Sequence, residues 1–219
     1  MGGASRALLL AALALTAAPL RAGSPGAALI AADRAYAETA RRSGEWTATR
    51  AVSVPQSEMF VPQRVKVLEF GKGLPDPKVA TRWRAEQAWI ACDSTVGVTY
   101  GRWSIPGTRQ RGWYEAIWAQ AGNGGYKLLL RHGGPLQRRL LVRPGRKGSR
   151  AGCGGNPPPL PIVAPAPGED FRIGASRDQT LIWSSAVSAE GDIRIAISLW
   201  DGTTHVPVLE DVAPAGAAR

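Results

Sequence analysis

From Glu86 to Gly133 four runs rich in β-branched and aromatic residues follow one another, "EQAWIACD", "TVGVTYGRWSI", "RGWYEAIWAQA" and "YKLLLRHG". Only short turns containing Gly, Ser or Asn separate them. Strands joined that closely must pair antiparallel, because a parallel partner needs a crossover of about a dozen residues or more. Gly97 and Gly101 share a strand face with Thr99 in the second run. Glycines spaced that way mark bends or close packing. Ahead of this meander, "AALIAADRAYAETARRS" from Ala27 to Ser43 sets Leu29, Ile30, Ala37 and Ala40 along one stripe with Tyr36 nearby, an amphipathic helix closed by Gly44. "EWTATRAV" reads as a short second helix, and "SEMFVP" as a brief strand from Glu58 to Val61 ended by Pro62. "GLPDPKVATRW" reads as a turn around Asp76. Helices followed by a bent antiparallel meander predict an α+β fold, cone-shaped, with the N-terminal helices packed in a curved antiparallel sheet.

The composition then breaks. Residues 144–170 hold "PGRKGSRAGCGGNPPPLPIVAPAPGED", a Pro/Gly-rich linker or wrapped arm whose triple proline favours extended polyproline geometry. Beyond it, residues 171–212 alternate cleanly, Ile193, Ile195, Ile197 and Leu199 on one face and Arg194, Ala196 and Ser198 on the other. A C-terminal β-hairpin extension is expected there, packed on the first sheet or extending it, since a lone hairpin is marginal in water.

At the other end, Arg6 precedes an apolar run from Ala7 to Ala18 with small residues after it, the layout of a secretory signal over residues 1–22. The run is shorter than the roughly 20 residues that span a bilayer, so no integral membrane segment is expected once the signal is removed. The implied location is periplasmic or secreted. In such an oxidising compartment the two cysteines, Cys92 and Cys153, are expected to form a disulfide. Neither belongs to a Cys-x-x-Cys or Cys-His set, so no metal and no cofactor are expected. The net charge of +10 raises the question of nucleic acid. Its one dense basic segment, Leu136 to Arg150, lacks the interleaved aromatics that stack on bases, and no nucleic-acid partner is expected.

The stretches "ATRWRAEQAWIACDSTVGVTYGRWSI" and "GWYEAIWAQAGNGGYKLLLRHG" resemble secreted, uncharacterised bacterial members of the SnoaL-like, nuclear-transport-factor-2-like superfamily. The resemblance rests on Trp83, the run from Asp93 to Gly101, Trp103 and His132-Gly133, with "SRDQTLIW" and "LWDG" similar to that group's tail, and it covers about Ala27 to Asp211. It implies a SnoaL-like α+β domain over 27–143 with a pocket between the curved sheet and the helices. It also implies a homodimer through the sheet as a common assembly. Some members of the superfamily are isomerases, dehydratases or polyketide cyclases that use an Asp or His base with a Tyr or Asp donor. In relatives of this kind an acidic residue is expected where this chain has Arg131.

Two residues are candidates for acid–base work. His132 stands near the rim, where an imidazole can exchange protons at neutral pH, and is otherwise a hydrogen-bonded structural histidine. Glu115 lies among Trp113, Tyr114, Ile117 and Trp118. Facing inward its pKa would rise, and facing outward, the preferred reading, it would pair with Arg or Lys on a neighbouring strand. Tyr36, Trp46, Met59, Tyr100 and Trp118 are the candidate pocket lining, residues that core packing alone would also explain. The expected function is binding of a small apolar or amphipathic molecule in the cone. The alternatives are an acid–base enzyme with Glu115 or His132 as base and Tyr100 or Tyr36 as donor, or an envelope protein-interaction module. No Gly-x-Ser-x-Gly elbow or phosphate loop is present to suggest another chemistry.

Overall fold

The computed structural model describes residues 26–136 and 148–215. The N-terminal run read as a signal, and most of the basic segment, lie outside the described residues. Two helices open the chain, α1 (Ala27–Ser43) and α2 (Glu45–Val52), followed by β1 (Ser53–Phe60), β2 (Arg64–Lys66) and a single helical turn, α3 (Val67–Phe70). The meander is β3 (Arg82–Ile90), β4 (Val96–Ser104), β5 (Arg111–Gln120) and β6 (Tyr126–Pro135). The C-terminal part holds β7 (Asp170–Ala175), β8 (Leu181–Val187), β9 (Ile193–Trp200) and β10 (His205–Ala213). The fold is α+β, and the helices lie against a large curved sheet, the cone layout that the sequence resemblance implies.

The first sheet has six strands in the order β2-β1-β6-β5-β4-β3. All neighbours are antiparallel except β1 and β6, which run parallel. One of its faces carries Trp83, Tyr114, Ala116, Trp118 and Leu128 against Leu29, Tyr36 and Ala40 of α1. The glycines expected to mark close packing do so. A Cβ on Gly97 would stand 2.6 Å from a Leu29 methyl, and one on Gly101 would stand 2.0 Å from the Arg84 carbonyl oxygen. α1 therefore seats directly on β4.

The opposite face of the same sheet carries Trp89, Val98, Trp113, Ile117 and Leu130. The C-terminal strands cover it. The alternation of Ile193, Ile195, Ile197 and Leu199 is observed, all four side chains being buried in that interface. The expected hairpin is present as β8–β9, and it is the centre of a four-stranded antiparallel sheet in the order β10-β9-β8-β7. Three layers result: helices, six-stranded sheet, four-stranded sheet. That face of the six-stranded sheet is thus covered by the chain's own second sheet.

Two polar fastenings hold the sheets in register. At one end the turns Asp93-Ser94-Thr95 and Asp178-Gln179-Thr180 are near copies, each with its central residue at positive φ, 62° and 61°. In each, the Asp Oδ1 accepts from the amide and the hydroxyl of the Thr. The two turns then bond reciprocally. The Asp93 amide donates to Asp178 Oδ2 at 2.8 Å and the Asp178 amide to Asp93 Oδ2 at 3.1 Å. The Cys92 amide donates to Thr180 Oγ1 and the Arg177 amide to Thr95 Oγ1. At the other end the Arg64 guanidinium, 5% exposed, donates to Glu58, Asp170 and Ser185.

The Pro/Gly-rich arm is the third fastening. Ile90 donates to the Ser149 carbonyl and Ala151 donates back to the Ile90 carbonyl, which extends the pairing at the edge strand β3. That edge would otherwise present unpaired backbone groups. Gly152 then donates to Trp200 and the Trp200 indole donates to Gly154. The Cys92–Cys153 disulfide is formed here, with a Cα–Cα distance of 5.2 Å across 61 residues.

Two outcomes follow for stability. Replacing both cysteines by serine should lower the unfolding free energy by about 4 kcal/mol, the loop-closure value for a loop of this length, measured by urea denaturation against the oxidised wild type. For Asp178, burial opposes the charge, but hydrogen bonds from Ser176, Thr180 and Asp93 outweigh it and hold the pKa below its usual value. A depressed folded pKa means the contribution is present above the unfolded pKa of about 3.9 and is lost as pH falls through the folded value. Asp178→Asn should therefore destabilise at neutral pH, and its difference from wild type should shrink in acid, as read from melting curves across pH.

Candidate functional site

The structure divides the candidate residues between the two faces of the six-stranded sheet. Glu115 and His132 are directly opposite on β5 and β6 and point into the interface between the sheets. Glu115 does not face outward to a surface cation, as expected, but is fully buried. Its partner is the imidazole across the ladder, 2.7 Å from His132 Nδ1 to Glu115 Oε1. The expectation failed because a carboxylate on the covered face has no solvent to reach, and that cover is supplied only by the C-terminal strands from β7 onward. Asp211 of β10 completes the group, its Oδ2 3.7 Å from His132 Nδ1. His132 is the hydrogen-bonded histidine of the structural reading, with its ring edge-on to Phe60 and Trp113 at centroid distances of 5.3 and 5.1 Å. Burial pushes Glu115 well above the carboxylate range, burial and the facing Glu115 carboxyl raise Asp211, and burial lowers His132. Both side chains are buried, Glu115 0% and His132 1% exposed, and of the two only His132, packed against Phe60, also borders the cavity on the helix side.

The helix-covered face holds a cavity of about 350 Å³ where α2, α3 and the ends of β1, β4 and β6 meet. Trp46 and Met59 line it, as expected, together with Trp103, Tyr114, Leu128 and Arg131. Three other expected lining residues do not. Trp118 is fully buried in the core beneath the helices, its indole donating to Thr99 Oγ1 at 2.9 Å. Tyr100 is on the opposite face, paired with Glu115 in the β4–β5 ladder and packed against the inter-sheet core. Tyr36 sits one layer behind Arg131, 2% exposed.

Arg131 is the residue whose importance the sequence reading missed. It neighbours His132 in sequence but points to the other face, so it does not oppose an imidazolium there. Its guanidinium lies over the Trp83 ring at 4.6 Å and near the Tyr36 ring at 5.6 Å, a cation–π clamp. Nη1 donates to the Tyr36 hydroxyl at 2.8 Å. The Tyr36 hydroxyl in turn donates to Thr49 Oγ1, whose proton goes to the Glu45 carbonyl. The chain of bonds has one direction and fixes the guanidinium against the cavity wall. Among the described residues no carboxylate lies within ion-pair distance of Arg131.

Asp33 was missed as well. The helix stripe was read without charge, yet Asp33 is 1% exposed in the middle of the face of α1 that also buries Leu29, Tyr36 and Ala40. Thr99 and Tyr114 each donate to it, at 2.6 and 2.9 Å. Burial raises its pKa against these bonds. Its spacing of four residues from Leu29 and three from Tyr36 was the available signal.

No protein-family model matches the sequence, and no curated protein matches it. Two solved structures are similar in part. An NTF2-like superfamily protein from Salmonella enterica subsp. enterica serovar Typhimurium str. LT2 is 11% identical over 52% of this chain and 92% of that one, with a TM-score of 0.39. A ketosteroid isomerase-like protein from Kribbella flavida DSM 17836 is 13% identical over 63% of this chain and 90% of that one, with a TM-score of 0.34. Neither likeness passes an activity to this chain.

Asp33 supports a measurable outcome. Asp33→Ala removes the acceptor of two buried hydroxyls and should cost about 3 kcal/mol in urea unfolding, since each stranded donor costs on the order of 1–3 kcal/mol. A loss below about 1 kcal/mol would show that the two hydroxyls find other partners.

Proposed function

We propose that this chain is a binding module for a small amphipathic molecule with an acidic head group, held in the cavity between the helices and the six-stranded sheet. The observation that carries the reading is Arg131: a clamped guanidinium lining a largely apolar cavity, with one hydrogen bond to a neutral phenol and no carboxylate at ion-pair distance. Glu45, on the same cavity wall, and Asp33 act on it only from farther off. A guanidinium has five N–H donors, and a carboxylate or similar anion matches that fork in plane and charge. Trp46, Met59, Val67 and Leu128 supply the apolar wall for the remainder of the ligand. The volume is at the lower end of small-ligand sites, which favours a compact molecule. The acid–base alternative is less favoured, because Glu115 is fully buried in the inter-sheet core and His132, which borders the cavity, is 1% exposed and engaged by Glu115. The N-terminal apolar run and the Cys92–Cys153 bridge support an exported, periplasmic or secreted setting for this binding.

The test is a titration of the purified protein with medium-chain carboxylic acids and the matching alcohols, followed by the fluorescence of Trp46 and Trp103 at the cavity wall. Acids should bind about 10-fold or more tightly than alcohols, the range expected for a charge-assisted hydrogen bond. Arg131→Met should remove that preference and leave alcohol binding close to wild type. Equal affinity for acids and alcohols in the wild type would overturn the acidic head group, and saturation by neither would overturn the binding reading.

A further inference from the structure

Among the described residues only one group of buried metal-ligating side chains comes together, and of its members only His132 borders the cavity: Glu115, His132 and Asp211. We infer that these three residues form a structural site for one divalent transition-metal ion, zinc by the chemistry of the donors, that ties the six-stranded sheet to the four-stranded sheet. The inference is independent of the ligand proposed for the cavity.

Geometry is the first support. Each residue offers one donor atom, and the three donors lie within 4.8 Å of one another. An ion held tetrahedrally at about 2.1 Å sets its donors roughly 3.4 Å apart. The observed separations from His132 Nδ1, 2.7 Å to Glu115 and 3.7 Å to Asp211, bracket that value. With the third separation bounded at 4.8 Å, side-chain adjustment on the order of an ångström would seat the ion. Phe60 and Trp113 already fix the plane of the ring.

Unmet polar atoms are the second support. Glu115 Oε2 and both Asp211 carboxylate oxygens are buried with no hydrogen bond from any other residue, the two carboxyl groups facing only each other and His132. Both residues are 0% exposed, and no arginine or lysine among the described residues pairs with either. Oxygens so placed cost free energy unless something positive meets them. A divalent cation does so with no net charge left over, since two carboxylates and a neutral imidazole carry minus two between them.

The donors also select the ion. Calcium and magnesium want six or more oxygens and disfavour imidazole, whereas one imidazole with two carboxylates suits zinc. A second oxygen from either carboxylate can supply the fourth position. Such a site is closed, with no position left for substrate, so its role is to hold structure rather than to catalyse. Its ligands come from β5 and β6 on one side and β10 on the other, so the ion would bridge the layers at a place where the described polar fastenings do not reach.

The experiment unfolds the oxidised full chain in urea and refolds it with zinc sulfate or with a chelator, followed by desalting, metal analysis and melting. The wild type refolded with zinc should keep about one zinc per chain and melt several degrees above the chelator-refolded sample. His205→Gln, which alters the other imidazole, bonded to the Gln179 carbonyl, should behave as wild type. Asp211→Asn should lose both the metal and the melting difference. Should Asp211→Asn fail to fold, the wild-type comparison still decides. No retained zinc, an unchanged melting temperature, or equal retention by a folded Asp211→Asn each overturns the site.

Discussion

A β-sheet that is apolar on both faces must have both covered, and the six-stranded sheet here is of that kind. Helices cover one face through Leu29, Tyr36 and Ala40, and the four-stranded sheet covers the other through Leu181, Ile193, Ile195, Ile197 and Leu209. Everything of functional interest depends on this division. The alternation of side chains along β5 and β6 sends Tyr114 and Arg131 to the helices and Glu115 and His132 to the second sheet. One strand pair thereby equips two chemically different environments, a cavity open to solution and a buried inter-sheet core, with His132 and Phe60 at the border between them.

The two environments handle charge in opposite ways. On the helix side Arg131 keeps its charge near an opening, held by aromatic faces and a directed run of hydroxyl bonds. On the other side burial works against charge, and in the absence of a cation it favours the neutral forms of carboxyl group and imidazole alike. A residue of either set moved to the other would lose its chemistry. The difference is one of solvent access and not of residue type.

Much of the layout was legible in the sequence. The meander, both helices, the close-packing role of Gly97 and Gly101, the Ile193–Leu199 alternation and the Cys92–Cys153 bridge follow from local pattern and are observed. What local pattern could not supply was which face each strand turns to which layer. Glu115 looked like a surface residue because its cover arrives only with Asp211, and Tyr100 and Trp118 looked like cavity residues because a single run cannot show where the helices sit. The short β2 and the turn α3 left no periodic signal. Asp33 escaped because a lone acid on a helix stripe reads as polar until its hydroxyl partners, 66 and 81 residues away, are placed.

The reciprocal Asp-x-Thr turns join positions 85 residues apart. Contacts that distant are closed late and slowly, because the entropy of the intervening chain must be lost before they form. The β3–β6 meander can assemble from its own neighbours in sequence, but the inter-sheet face of the first sheet must wait for the last strands to arrive. During that interval the nascent molecule exposes Trp89, Val98, Trp113 and Ile117. Apolar surface exposed in that interval would favour aggregation until the C-terminal strands close over it.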